Sequence, residues 1–492
     1  MSSVHVVVFM YPFQGHIIPI YNLAKHLAAK GVLVTVVCTH DSYARIIKAN
    51  NGRDPFTHNA HHIRLALVSD GLPQDFDRSL NHHDFNNVLL YKMESHVEEL
   101  MEDLQRKGPP ISCIITDTVF VWADRIAKKF GIPHVSFWTE PIMVFSIYYH
   151  WDLLVKNGHH PFTSNEDELI NYIPGAPALK LTDLPSYLQE RDVSTLKHKI
   201  IYQAFQSARG ADWIISNTVE ELERRTIQEL RQQLGMPFCS VGPMFQHHHH
   251  DNHNHSKGEV GTSMWAESDC RSWLDSKPKN SVVYVSFGSY AHVSKAQIHE
   301  MAIGLLHSKR PFIWVLRPDI VASDVQDILP EGFMEDSKEQ GLVVEWVSQL
   351  DVLSHSSVGG FLTHCGWNSI MESLWLGVPM LAFPLLTDQY TNCRLIVHEW
   401  EVAMSLGQVS RSSNNIRSTL VTRQEIAVTI EEFMEIDGRK GKNLRSNVGS
   451  VREVMKKAAM NGGSSKNNLE GFIDYLKGRE QSRSPSQLES HI

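Results

Sequence analysis

Runs of consecutive apolar residues, each closed by a turn and followed by an amphipathic stretch, recur along this chain. Val4 to Phe9 is such a run and reads as a strand buried on both faces. Residues 11–16, Tyr-Pro-Phe-Gln-Gly-His, read as a turn. A helix follows in which Pro19 stands early and Ile20, Leu23, Ala24 and Leu27 share one face. Gly31 closes that helix and Val32 to Cys38 makes the next strand. Ile111 to Thr116 predicts a strand ending at Asp117, then a helix over about 120–130 and a strand over 135–138. The pattern restarts after residue 280: Val282 to Phe287 is a strand, Gly288-Ser289 a turn, a helix begins near Ser294, and Phe312 to Leu316 is a strand.

Two such series imply two doubly wound α/β domains, each a parallel sheet flanked by helices. A length of 492 residues also exceeds what one core supports. The expected division is residues 1–246 and 266–461, joined by a linker over 247–265. A helix within 462–480 should pack back on the first domain, and 481–492 should be a disordered tail. The linker holds the tract His247 to His255, rich in His and Asn, which reads as a solvated loop. Without a fixed outer shell it is a poor metal site. Ligands in such sheets bind beyond the carboxyl ends of the strands, so the cleft between the domains is the expected site.

Charge changes this picture in one respect. The formal net charge is −9, from 46 Lys and Arg against 55 Asp and Glu, which disfavours nucleic-acid and anionic-membrane partners. A phosphorylated ligand would have to be held by local geometry. The six cysteines show no CxxC pairing and fall partly in apolar runs, as buried free thiols do. A reducing, cytoplasmic setting is expected, with a monomer as the working unit. The opening residues read as a first strand and not as a leader peptide, and no apolar stretch reaches the roughly 18 residues of a membrane span.

The densest chemistry lies in the forty-four residues from Trp346 to Gln389. Gly359 to Thr363 is a buried strand; a turn follows at His364, Cys365 and Gly366, then a helix over about 369–376. A helix start of that kind offers free N–H groups and partial positive charge to a phosphate, and His364, Asn368 and Ser369 could add donors. A net-acidic protein could hold a diphosphate there without a lysine cluster. Ser369 and Glu372 have capping-box spacing, so Glu372 could equally serve its own helix. The isolated tryptophans Trp346 and Trp367 could be core.

This span resembles the signature box of plant secondary-product glycosyltransferases, UDP-dependent inverting enzymes of the GT-B fold. The resemblance extends to residues 12–16, similar to the family's catalytic-histidine turn, to residues 69–73, and to the strand and turn over 282–289. It implies that Trp346 stacks on uracil and that Val347, through its backbone, and Gln349 meet the nucleoside. Val347 stands where the family often has Ala or Cys. Glu372 would take the ribose hydroxyls; Ser289, His364, Gly366, Asn368 and Ser369 would hold the diphosphate; Trp367, Asp388 and Gln389 would address the sugar. Gln389 is the family's usual residue for UDP-glucose.

His16 follows the first strand and Asp117 ends another strand of the same domain. A histidine is suited to removing the acceptor proton, and Asp117 could fix its tautomer. A lone histidine is more often a satisfied core residue, and Asp117 could also cap the next helix. The resemblance implies the dyad. Phe13, Phe120, Trp122, Trp138, Phe145 and Tyr148 are candidates for lining an acceptor pocket, with Phe13, Phe120, Trp138 and Phe145 foremost. His159 and His160 read as surface residues. Asp75-Phe76-Asp77 is a DxD-like string that reads as a surface match, so neither a metal nor a cofactor is expected beyond a UDP-sugar co-substrate. The function implied is transfer of a sugar, glucose foremost, from UDP-sugar to a hydroxyl of a small lipophilic acceptor. A non-catalytic UDP-sugar sensor is the alternative, disfavoured by the presence of both His16 and Asp117. A dinucleotide oxidoreductase is disfavoured because the first strand lacks a GxGxxG turn.

Overall fold

The apolar runs become two parallel sheets in the computed structural model, which describes the chain apart from residues 1–3, 59–61, 74–75, 79–80, 162–167, 246–260, 322–327, 408–419, 436–437 and 483–492. The first sheet is built from β1 (His5–Phe9), β2 (Leu33–Thr39), β3 (Ile63–Val68), β4 (Cys113–Asp117) and β5 (His134–Trp138). A short antiparallel pair, β6 (Leu169–Ile170) and β7 (Leu179–Lys180), stands apart; β8 (Trp213–Ser216) and β9 (Phe238–Ser240) complete the sheet in the order β3-β2-β1-β4-β5-β8-β9. The second sheet comprises β10 (Val282–Ser286), β11 (Phe312–Val315), β12 (Gly341–Val344), β13 (Val358–Thr363), β14 (Met380–Ala382) and β15 (Ala403–Ser405), in the order β12-β11-β10-β13-β14-β15. β1, β4, β5, β10 and β13 are buried along their whole length, as strands covered by helices on both faces must be.

Each sheet reverses its winding once, and the two reversals position the site. In the first sheet β1 pairs with β2 on one side and β4 on the other; in the second, β10 pairs with β11 and β13. The carboxyl ends of β1 and β4, and of β10 and β13, therefore border open crevices where ligands are received.

Local structure departs from expectation at one functional position. The helix after β1 spans Gln14–Ala29, so Gln14, Gly15 and His16 form its first turn and not a preceding loop, and Pro19 lies inside the helix. The helix expected from residue 120 spans Ala123–Phe130. The last helix runs Ser464–Ser482 and lies against the first domain: Trp213 meets Phe472 and Tyr475 at ring distances of 5.4 and 4.9 Å, and the Asn468 amide donates to the Ser240 carbonyl at 2.8 Å.

Of the expected linker, the histidine tract lies outside the described residues, as do Asp75 of the DxD-like string and residues 483–492 of the tail. The end of the linker is docked. The Gln14 side chain accepts from the Met264 N–H at 2.8 Å, and the Asn50 amide donates to the Gly261 carbonyl at 3.0 Å. His159 and His160, expected at the surface, are buried: His159 Nδ1 lies 2.6 Å from the Tyr172 hydroxyl, and the His160 ring stands edge-on to Trp151 at 4.5 Å. Aromatic partners from the segments on either side, Trp151 and Tyr172, stand against the two rings. All six cysteines are free and buried. Among the described residues no helix is long and apolar enough to cross a membrane.

Candidate active site

At the mouth of the first sheet His16 and Asp117 meet. His16 Nδ1 donates to Asp117 Oδ2 at 2.6 Å, and the Thr139 hydroxyl lies 3.1 Å from the same nitrogen. The second Asp117 oxygen accepts from the Val119 N–H at 3.0 Å, so the carboxylate is held at both ends. The Asp117 side chain is 1% exposed and that of His16 20%, so the pair is sealed behind and open in front. With the Nδ1 proton committed to Asp117, Nε2 is the basic nitrogen of the ring. Burial disfavours a charged imidazole, yet the adjoining Asp117 carboxylate outweighs it, with help from Asp388, and holds the ring above its ordinary pKa.

Across the cleft, the turn after β13 presents the start of the Trp367–Leu376 helix. Gly366 is the N-cap and has no side chain to occupy the first N–H groups, so they remain available to an anion. Cys365 takes a left-handed φ of +67°, and its carbonyl accepts from the Asn392 amide at 2.9 Å, which pins the turn. His364 fits between two glycines: a Cβ on Gly288 or on Gly366 would fall 2.4 Å from its Nε2. Burial, with Arg317 nearby, pushes the His364 ring down to about 4, so it acts as a neutral donor or acceptor.

Ser369 and Glu372 form no capping box. The Gln349 amide donates to Glu372 Oε2 at 2.7 Å and to Ser369 Oγ at 3.1 Å, while the Tyr284 hydroxyl donates to Gln349 Oε1 at 3.2 Å. Glu372 thus faces the cleft, its carboxyl pushed up to about 7 by burial. Gln389 Oε1 accepts from the Leu385 and Leu386 N–H groups, each at 3.0 Å, which leaves its amide donors for the cavity. Asp388 accepts from Thr387 and Asn392. The Trp367 indole donates to the Asn217 carbonyl of the first domain at 2.7 Å.

One cavity of about 470 Å³ gathers nearly all the expected positions. His16, Ser289, Trp346, Val347, Gln349, His364, Gly366, Trp367, Asn368, Ser369, Glu372, Asp388 and Gln389 line it, together with Phe13, Trp138 and Tyr148. Asp117 acts from behind His16. Three of the aromatic candidates stand a layer back. Phe120 packs against Tyr11 and Trp122, Trp122 is fully buried core, and Phe145 packs against Trp138 and Phe205. Tyr11, Tyr187 and Tyr290, which sequence reasoning passed over, hold the wall instead. So do Thr139 and Glu140, although they directly follow β5 and were open to the strand-end rule that found Asp117.

Trp265, at the docked end of the linker, was also missed. Its ring stacks on Trp346 at 5.8 Å with the planes 27° apart. The Arg45 guanidinium of the first domain lies 5.5 Å from the Trp265 ring and Arg317 of the second 5.9 Å from it. Among the described residues, no group of three or more His, Cys, Asp or Glu side chains is placed to hold a metal ion.

Comparison with known proteins gives the same direction. A family model described as UDP-glucoronosyl and UDP-glucosyl transferase matches residues 249–425. UDP-glycosyltransferase 86A2 of Arabidopsis thaliana is 44% identical over 478 residues, covering 96% of this chain and 94% of that protein. UDP-glycosyltransferase 86A1 of the same plant is 42% identical over 490 residues, 97% and 96% of the two chains. Among solved structures, Phytolacca americana UGT2 complexed with UDP-2fluoro-glucose and pterostilbene superposes with a TM-score of 0.77 at 27% identity, covering 96% of this chain and 99% of that one.

Proposed function

The chain belongs to the plant UDP-dependent glycosyltransferases and moves a sugar from a UDP-sugar to a small molecule, and from that premise we propose that it glucosylates a hydroxyl of a lipophilic acceptor with His16 as general base. The observation that carries this reading is the 2.6 Å bond between His16 and Asp117, made by a ring that opens onto the cavity shared with the diphosphate turn.

The acceptor oxygen attacks C1 of the sugar from the side of His16 while Nε2 takes its proton. The bond from C1 to the diphosphate breaks with inversion, and UDP leaves. The imidazolium formed is stabilised by Asp117, in the manner of a serine-protease triad. Charge that develops on the departing diphosphate meets the free N–H groups at the start of the Trp367–Leu376 helix, with Ser369, Ser289 and His364 beside them. Trp346 offers a face to the base, Glu372 an acceptor to the ribose diol, and Asp388 with Gln389 a pair of polar groups to the sugar. Glucose is supported by the amide at Gln389 and by the glucose donor bound to the Phytolacca protein. A lipophilic acceptor is supported by the walls of Tyr11, Phe13, Trp138, Tyr148, Ile200 and Ile201.

The test is purified protein with UDP-glucose and a panel of phenolic and alcoholic acceptors in EDTA, read by mass spectrometry. A hexose adduct that disappears in His16→Ala supports the proposal. Tight UDP binding without transfer from any UDP-sugar would overturn it.

A further inference from the structure

We propose that Glu140 selects the acceptor: its carboxyl hydrogen-bonds a second hydroxyl on the molecule whose reacting hydroxyl faces His16, so that acceptors with two hydroxyls on one flat frame are preferred. This rests on the transferase reading above and names the acceptor class within it.

Glu140 occupies a rigid position. It follows β5 and Thr139, whose hydroxyl lies 3.1 Å from His16 Nδ1, and precedes Pro141, the N-cap of the Ile142–Tyr149 helix. The Trp138 indole donates to the Pro141 carbonyl at 2.9 Å, which ties the chain on one side of Glu140 to the other. The buried Glu223 carboxyl accepts from the Ile142 and Met143 N–H groups at 3.0 and 2.8 Å, fixing the start of the helix. The Trp138 carbonyl accepts from the Asn217 N–H at 2.8 Å. These bonds fix the backbone that carries Glu140.

Glu140 so placed lines the cavity. Among the described residues its carboxyl makes no hydrogen bond or ion pair, and the charges acting on it are those of Asp388 and Asp117, both negative. Burial and these like charges push its pKa well up, which favours the protonated form of the carboxyl. An acid of that form both donates and accepts, which is what an alcohol or phenol requires of a partner. Its neighbours Tyr148 and Tyr187 continue the aromatic wall. A ligand hydroxyl that enters the cavity beside it supplies the partner that the protein does not.

The experiment compares kcat/KM for matched acceptors on one aromatic frame, with one hydroxyl, with two, and with the second hydroxyl methylated, all with UDP-glucose. The intact protein should prefer the dihydroxy member about ten- to hundredfold over either analogue. Glu140→Leu should collapse that ratio mainly by loss on the dihydroxy member. Glu140→Gln, a neutral group of the same shape, should largely restore it. UDP binding to each variant, measured by calorimetry, reports whether the fold is intact. A ratio near one in the intact protein, an equal fall on all three acceptors in Glu140→Leu, or an effect confined to the KM for UDP-glucose would overturn the proposal. The last of these would assign Glu140 to the donor sugar. Transfer to none of these three acceptors would overturn the acceptor class named here, whereas failure with every UDP-sugar on the wider panel would overturn the transferase reading itself.

Discussion

The Asn368 amide of the second domain donates to the Gly15 carbonyl of the first at 2.6 Å, and Pro19 is the reason that carbonyl is free. In a regular helix the Gly15 carbonyl would accept from the N–H of residue 19; proline has none. The missing bond inside the helix becomes a bond across the cleft, one residue from His16. Pro19→Ala supplies the competing N–H. It should leave the melting temperature unchanged or higher, because proline in a helix interior costs up to about 3 kcal/mol. The same change should lower kcat/KM about two- to tenfold through the weakened crossing. Thermal denaturation beside steady-state kinetics checks this, and unaltered kinetics would refute the link.

His16→Ala should lower kcat by about 10²–10⁴-fold at saturating donor while UDP still binds. The pH profile gives a finer test. Under the proposed mechanism the base works neutral, so kcat/KM should fall as pH drops through the His16 pKa, which the Asp117 carboxylate holds above the ordinary 6.5. In Asp117→Asn burial acts without that carboxylate, and the acid limb should shift to lower pH as the maximum rate falls. An acid limb that stays in place would remove Asp117 from the mechanism.

In the proposed site Glu372 sets donor binding against stability. Its carboxyl titrates at about 7 when folded against 4.5 ordinarily, so the folded chain binds this proton more tightly than the unfolded one. Its contribution to stability is therefore full below about pH 4.5 and is lost as pH rises through about 7. Glu372→Gln should raise the melting temperature by about 1–3 °C at pH 8, with a smaller gain at pH 5. It should also weaken UDP binding about tenfold by removing the charged acceptor offered to the ribose. A variant less stable at pH 8 than its parent would contradict this.

Trp265→Ala should raise the KM for UDP-glucose about two- to tenfold, the worth of one aromatic pair, with little change in kcat. Trp265→Phe should lose less. The split separates bracing of Trp346 from general damage, which would lower kcat as well.

The reach of the sequence can be judged residue by residue. Both sheets were legible because strands covered on two faces are written as unbroken apolar runs. His16 and Asp117 were legible as a pair because each follows or ends such a run. The Trp346–Gln389 segment carries most of one cavity wall in forty-four residues, so its members travel together. Trp265 was hidden for the opposite reason: its partners Arg45, Arg317 and Trp346 are scattered, and a histidine tract precedes it. Phe120 and Phe145 misled because aromatic density marks a core as readily as a pocket wall. The helix start at Gln14 was obscured by Pro19, which usually marks a first turn and here sits deeper because its missing bond is made good by Asn368.

The six buried thiols give the molecule an internal clock. Burial pushes Cys38 and Cys239 up to about 12 and Cys270 to about 11, and Cys365 is raised as well. A thiol so protected is alkylated only during the moments when its surroundings part. Cys365 sits in the turn between His364 and Gly366, so its labelling rate should count openings of that turn, whereas Cys38 and Cys113, deep in the first sheet, should count wholesale unfolding. A nucleotide bound at that turn would slow the first count far more than the second, timing the cleft without any added probe.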